Sequence, residues 1–262
     1  MRRPSLLQIL ASRRREYVTT SEAAEWLDQS MIAARATLRR LKAERQLVNP
    51  VRGFWVVVKP KDVSQGGPSP LEFLDPLMRF LGERYAVGLL SAAALHGIEC
   101  AWSASLQVMA QTNRRPISGE WGEIDFFVRS TFRETERTRV PTTNGMVHVA
   151  APEEVAIDLI GSATAIGGLQ ALLPVIDALA PKLDGWTLAE VASHCPLNWS
   201  ARLGYVLEHL GHRWLAGTLM PLVKDSLTTW VPLDPSGREG HWPRSKRWHV
   251  LENAALPTLP KR

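Results

Sequence analysis

Residues 30–45 read SMIAARATLRRLKAER, from Ser30 to Arg45. Wound on a helix at about 100° per residue, Met31, Ala34, Leu38 and Leu41 fall on one side. The opposite side carries Ile32, Ala33, Ala36, Thr37, Arg39, Arg40 and Ala43. Small residues set among arginines let a helix approach something flat and negative, and a DNA groove is such a surface. A solvated basic face fits the same pattern. The flanking sequence has to decide between them.

Upstream, residues 5–14 read as a helix with Leu6, Leu7 and Leu10 as its buried side. Thr19-Thr20-Ser21-Glu22 is a capping-box pattern opening a second, short helix with Ala23, Ala24, Trp26 and Leu27 free to pack. Asp28-Gln29-Ser30 makes a polar turn, and either Asp28 or Ser30 can cap the helix that follows. A short helix, a polar turn and a longer basic helix form a helix-turn-helix pattern. Downstream comes QLVNPVRGFWVVVKPKD, with β-rich Leu47-Val48 and Phe54 to Val58 around turn residues Asn49 to Gly53. A hairpin in that place makes the module a winged helix-turn-helix. Arg52 sits in the wing turn, where it either reaches a phosphate or minor-groove edge or is an ordinary exposed turn residue.

The charge distribution supports the DNA reading. Residues 1–62 hold 13 Lys and Arg against 6 Asp and Glu, whereas the other 200 hold 18 against 20. The net charge of +5 therefore comes wholly from the first quarter, as expected of a polyanion-binding module joined to a neutral body.

Pro, Gly, Lys and Ser dominate residues 60–70, which read as a linker between a winged helix at 1–59 and a body at 71–262. In the body, Leu71 to Gly82 and Ala86 to Gly97 read as helices. Strand-like runs follow at Leu106 to Ala110, Ile124 to Arg129, Thr138 to Pro141 and Met146 to Val149. Helices are expected at 153–162, 168–180, 188–193, 200–210 and 213–224, then two late strands at 228–233 and 247–251. The expected class is α+β: a winged helix, then a domain with an antiparallel sheet-rich part (71–152) and a helical part (153–262).

Several functions find little footing. Cys100 and Cys195 lie far apart and in no metal or redox spacing, which fits two free thiols in a cytoplasmic protein. The N-terminal apolar patch is short and ends in Arg13-Arg14-Arg15, unlike a signal peptide. Leu159 to Ile176 is uncharged but broken by Gly167-Gly168 and Pro174, so two buried helices fit better than a membrane span. His209 and His212 stand beside Glu208, and His194 beside Cys195, without further ligands to complete a metal site. His96 before Gly97 suits a helix end. Gly161-Ser162 lacks the closely following carboxylate pair of a nucleotidyltransferase, and Glu123-x-Asp125 is the other acidic pair worth naming. No phosphate-cradling loop or hydrolase elbow appears. The loop GHWPRSKRW, with Arg238, Trp242, Arg244, Lys246 and Arg247, is either a second small phosphate contact or a solvated loop. The expected catalytic, metal and cofactor residues are therefore none.

Taken in order, several segments resemble the AbiEi antitoxins of type IV toxin–antitoxin and abortive-infection systems. They are the winged helix ending in Arg52-Gly53-Phe54-Trp55-Val56, YAVGLLSAAALHG (Tyr85 to Gly97) and LQVMAQTNRRPI (Leu106 to Ile117). TTNGMVHVAAPEEVAIDLI (Thr142 to Ile160), RLGYVLEHLG (Arg202 to Gly211) and RWHVLENA (Arg247 to Ala254) complete the set. The resemblance implies a repressor-antitoxin without enzymatic activity. Its winged helix would bind inverted repeats in its own promoter, and its body would counter a nucleotidyltransferase-like toxin, with or without a stable complex. On this sequence the DNA contacts would come from Arg35, Arg39, Arg40, Lys42 and Arg52. Gln29, Ser30 and Thr37 would act as short polar readers, with Ala33 facing the groove. Two other readings stay open: a ligand-responsive transcription factor, and a nucleic-acid-processing enzyme delivered by its winged helix.

Overall fold

The computed structural model describes residues 4–100, 105–129, 137–142, 144–224, 226, 228–237 and 240–257. Its contacts divide the chain into two compact units. The first takes in Met1–Val87, Ser103–Phe132 and Thr138–Val149; the second takes in Gly88–Trp102, Arg133–Arg137 and Ala150–Arg262.

The first unit opens with α1 (Leu6–Ser12), whose N-cap Ser5 and Gln8 cap each other reciprocally. Strand β1 (Tyr17–Thr19) leads into α2 (Thr20–Leu27). Thr19 and Glu22 form the expected capping box, with the Thr19 amide donating to Glu22 Oε2 at 2.8 Å. Asp28 ends α2 in the left-handed region at φ 51°, which leaves Ser30 to cap α3 (Met31–Ala43) by accepting from the Ala33 amide. The wing is β2 (Leu47–Val51) and β3 (Phe54–Val57), turned at Arg52-Gly53 with Gly53 at φ 93°. Asn49, read from sequence as a turn residue, belongs to β2. Its side-chain amide donates to the carbonyls of Val51 at 2.6 Å and Phe54 at 2.7 Å, bracing the ladder where its register shifts.

Strand β1 has no counterpart in the sequence reading. It pairs antiparallel with β3, giving a three-stranded sheet in the order β1-β3-β2. Leu6, Leu10, Val18, Ala23, Leu38, Leu41, Leu47 and Trp55 form the core beneath. The Trp55 indole N–H donates to Thr20 Oγ1 at 3.0 Å, so this large ring is buried without an orphaned donor. Met31 departs from expectation. It lies one turn before the core begins and is 41% exposed, so Ala34, Leu38 and Leu41 alone anchor α3.

Residues 60–70 are more structured than their composition suggests. Pro60–Gln65 is a 3₁₀ turn ending at Gly66 in the left-handed region. Gly67 and Pro68 are buried, and a Cβ on Gly67 would press on Trp121 and Val48. The close approach of these side chains requires glycine there. Helix α4 (Pro70–Leu81) buries Phe73, Leu74, Leu77 and Met78, with Phe73 edge-on to Trp121 at 5.1 Å.

A six-stranded sheet completes this unit: β4 (Tyr85–Val87), β5 (Leu106–Ala110), β6 (Ile117–Gly119), β7 (Gly122–Val128), β8 (Arg137–Thr142) and β9 (Gly145–Ala150). Their order is β6-β7-β5-β4-β9-β8. The sheet is mixed rather than antiparallel throughout, since β5 runs parallel to β7 and β4 parallel to β9. Ala86-Val87, read as the start of a helix, is strand with Tyr85 because the three residues fill the slot between β5 and β9. Tyr85 also donates its hydroxyl proton to Asp75 at 3.1 Å, which fixes the end of that strand.

The second unit is helical: α5 (Leu89–Leu95), α6 (Pro152–Gly161), α7 (Leu169–Leu179), α8 (Gly185–Ser193), α9 (Leu197–His209) and α10 (Arg213–Lys224). Every residue of α6 from Glu153 to Ile160 is buried. Glycines accept indole rings here: Gly161 faces Trp199, Gly185 of α8 faces Trp214, and Gly204 of α9 faces the fully buried Trp248. A small sheet of β10 (Val231–Pro232), β11 (Arg244–Ser245) and β12 (Val250–Leu251) closes the unit in the order β10-β12-β11.

Candidate nucleic-acid interface

Three side chains hold α3, and the rest of its surface is available. Arg35, Arg39 and Lys42 project from the side of α3 that faces the wing. With Arg52 and Asn49 from the wing they line a groove of about 570 Å³, open to solvent. Ser21 of α2 and Phe80 of α4 contribute to its walls. Among the described residues no carboxylate forms an ion pair with Arg35, Arg39, Lys42 or Arg52. Four like charges gathered without counter-charge repel one another, and a polyanion relieves that repulsion.

The neighbouring arginines of the module are engaged otherwise. Arg13 stacks over Trp26 at 4.3 Å and Arg15 over Tyr17 at 4.3 Å. Arg15 also pairs with Glu22 at 2.7 Å. Burial pushes the Glu22 carboxyl upward, but hydrogen bonds from Arg15 and Thr19 outweigh it and hold the group below the usual carboxylate range. These cations serve the fold, whereas those of the groove have no carboxylate partner among the described residues.

The sequence grouped Arg39 and Arg40 on one face, and the structure separates them. Arg40 turns toward α1 and α2, over a second hollow that it lines with Gln29 and Thr37, and pairs with Glu44 at 3.8 Å. Thr37 donates to Gln29 Oε1 at 3.4 Å, so these two polar candidates hold each other. Ser30 is committed to its cap, accepting from the Ala33 amide at 3.3 Å. Ala33 is exposed. Thus Arg35, Arg39, Lys42 and Arg52 come together, while Gln29, Thr37 and Arg40 form a separate group along the other flank. Asn49, Met31 and Ile32 belong to the exposed surface or groove without having been singled out. Ile32 is 79% exposed, as its place on the side opposite Ala34, Leu38 and Leu41 leads one to expect.

The other chemical candidates have structural occupations. His212 Nε2 meets Asp177 Oδ1 at 2.7 Å, His209 reaches the Pro257 carbonyl at 3.3 Å, and His96 reaches the Ala150 carbonyl at 2.7 Å. Asp125 accepts from Ser105 at 2.5 Å. Gly161 is glycine because an indole ring covers it. In the late basic loop Arg244 stacks over Trp230 at 5.0 Å and Arg247 pairs with Glu208 at 3.3 Å; Trp102 and Arg238 lie outside the described residues. Among the described residues no group of three or more His, Cys, Asp or Glu is placed to hold a metal ion. No helix among them is long and apolar enough to cross a membrane.

Residues 85–209 match the family model of the AbiEi antitoxin C-terminal domain. The chain carries an AbiEi antitoxin domain. It runs from β4 through the sheet and the helices to the end of α9, and residues 1–84 lie before it. Among curated proteins no sequence matches. The fold is similar to that of the RV2827C protein from Mycobacterium tuberculosis, at TM-score 0.65 and 16% identity, covering 94% of this chain and 89% of that one. A nucleotidyltransferase-like antigenic protein from Paracoccidioides brasiliensis aligns at TM-score 0.36 and 12% identity, over 62% of this chain and 94% of that one. The first likeness bears on the fold alone. The match to an antitoxin domain thus follows, along the chain, a basic, wing-flanked helix.

Proposed function

We propose that this antitoxin is also the repressor of its own operon. In this reading α3 and the wing bind duplex DNA at promoter inverted repeats. The body counteracts a nucleotidyltransferase-like toxin by a route that is not catalytic. The observation that carries the DNA part is the convergence of Arg35, Arg39, Lys42 and Arg52 on one groove without counter-charges. Such a cluster fits the phosphate rows beside a groove entered by a helix, and phosphate contacts fix register before any base is read. Arg40 would meet the backbone on the other flank.

A paired assay in cells separates the two roles. The full chain carrying Arg35→Ala, Arg39→Ala and Arg52→Ala together is expected to lose repression of a promoter reporter while still protecting against the co-expressed toxin. Loss of protection with repression intact would overturn the division of labour. Unchanged repression would remove the groove from the interface.

A further inference from the structure

The crest of α3 differs from its flanks. Directly opposite the buried stripe of Ala34, Leu38 and Leu41 lie Ile32, Ala36 and Ala43, with Ala33 beside them. Ile32 and Ala36 are one turn apart, both exposed, and Ile32 at 79% is among the most exposed large apolar side chains described. The charged side chains stand to either side, Arg35 and Arg39 toward the wing and Arg40 toward α2. Over its first two turns that crest is Ile32, Ala33 and Ala36, with no Asn, Gln or Arg able to make a two-pronged hydrogen bond to a base edge; Arg39 follows two turns beyond Ile32 on nearly the same line. A β-branched apolar residue so largely in water gains little for the fold, and its place is in the first turn of the helix, which is the part a recognition helix brings to base edges.

A surface apolar over the first two turns of its crest, and cationic beyond them and along its margins, complements one feature of the major groove. There the thymine C5 methyl is the apolar group, standing between two rows of phosphate. Resting on the DNA reading above, we infer that Ile32, with Ala36 and Ala33 around it, is the specificity-determining contact of α3. It selects sites by packing on thymine methyl groups rather than by hydrogen-bonding guanine or adenine. The half-site therefore carries thymine at one or two adjacent positions under the N-terminal turn of α3.

Fluorescence anisotropy at fixed salt tests this with the full chain and its footprinted promoter duplex. The thymines are replaced one at a time by deoxyuridine, which removes only the C5 methyl. One or two replacements per half-site are expected to weaken binding roughly three- to five-fold each, the worth of one buried methyl group. Ile32→Ala is expected to bind the thymine and uracil duplexes equally, with an unchanged salt slope and an unchanged circular dichroism spectrum. Uracil duplexes bound as tightly as thymine duplexes at every position would overturn the inference while leaving the DNA reading intact. So would a uracil penalty that persists in Ile32→Ala. A change of oligomeric state off DNA in Ile32→Ala would assign the crest to a second copy of the chain and overturn it as well. Absence of binding to any duplex would remove both readings together.

Discussion

Helices α3 and α6 teach opposite lessons about what a helix in this protein is for. Helix α6 buries eight consecutive residues, so its partners surround it and its surface is spent within the second unit. Helix α3 is longer, at 13 residues, yet buries three. A helix held by so narrow a stripe leaves most of its circumference exposed, and on the proposed reading its cations meet a polyanion there. Fold and function are thus divided between two helices of similar regularity, and the same substitution made in each should read out the division.

The largest contrast is expected from isoleucine to alanine. Ile157→Ala in α6 removes a fully buried side chain and should cost about 2–5 kcal/mol in chemical denaturation. Ile32→Ala in α3 should change stability by less than about 0.5 kcal/mol, because its side chain is 79% exposed. A large loss at Ile32 would mean that α3 is packed on more than its narrow stripe.

Glycine at the end of α6 sharpens the same point. Gly161→Ala drives a Cβ into the Trp199 ring and should cost about 1–3 kcal/mol, with DNA affinity unchanged at temperatures where the protein is folded. Circular dichroism melting followed by anisotropy at low temperature checks both halves of that expectation.

Acid should find the smallest difference. Burial raises the carboxyls of Glu22 and Glu83, but hydrogen bonds from Arg15 and Thr19, and from Arg114 and Thr112, outweigh it and hold both below the usual range. A carboxylate lowered in the folded state contributes stability that is present above its unfolded value, about pH 4.3. That contribution fades as pH falls through the lower folded value. Glu22→Gln should therefore lessen stability at neutral pH and flatten its decline between about pH 5 and pH 3, by well under 1 kcal/mol since both partners are part-exposed. An unchanged acid limb would contradict the role given to the Arg15–Glu22 pair.

How much of this was legible in the sequence follows from where each signal is stored. The capping box at Thr19 and Glu22, the stripe Ala34–Leu38–Leu41 and the hairpin around Arg52-Gly53 are local, and all appear in the fold. Strands β1 and β4 were missed because three residues carry no periodicity and their partners are distant in sequence, Val56 opposite Tyr17 and Val149 opposite Val87. The mixed sheet escaped for the same reason, since strand direction is a property of pairing. In the candidate site, the helix and its charge were readable, but not the sides of it that the wing and α2 occupy. Arg39 and Arg40 sit about 100° apart on the helix, so a two-faced wheel merges them where the structure assigns them to different flanks. Arg13 and Arg15 look like Arg35 in sequence, and only the aromatic rings beneath them reveal that they serve the fold.

The salt dependence of duplex binding tests the central claim most directly. Anisotropy titrations of the promoter duplex over a range of salt give a slope that counts phosphate contacts, about 0.9 per contact. Single replacement of Arg35, Arg39, Lys42 or Arg52 by alanine should each lower that slope by about one, while Arg13→Ala, whose cation lies over Trp26, should leave it unchanged. A slope that is the same in the groove variants as in the parent would contradict the assignment of α3 and the wing as the DNA-binding surface.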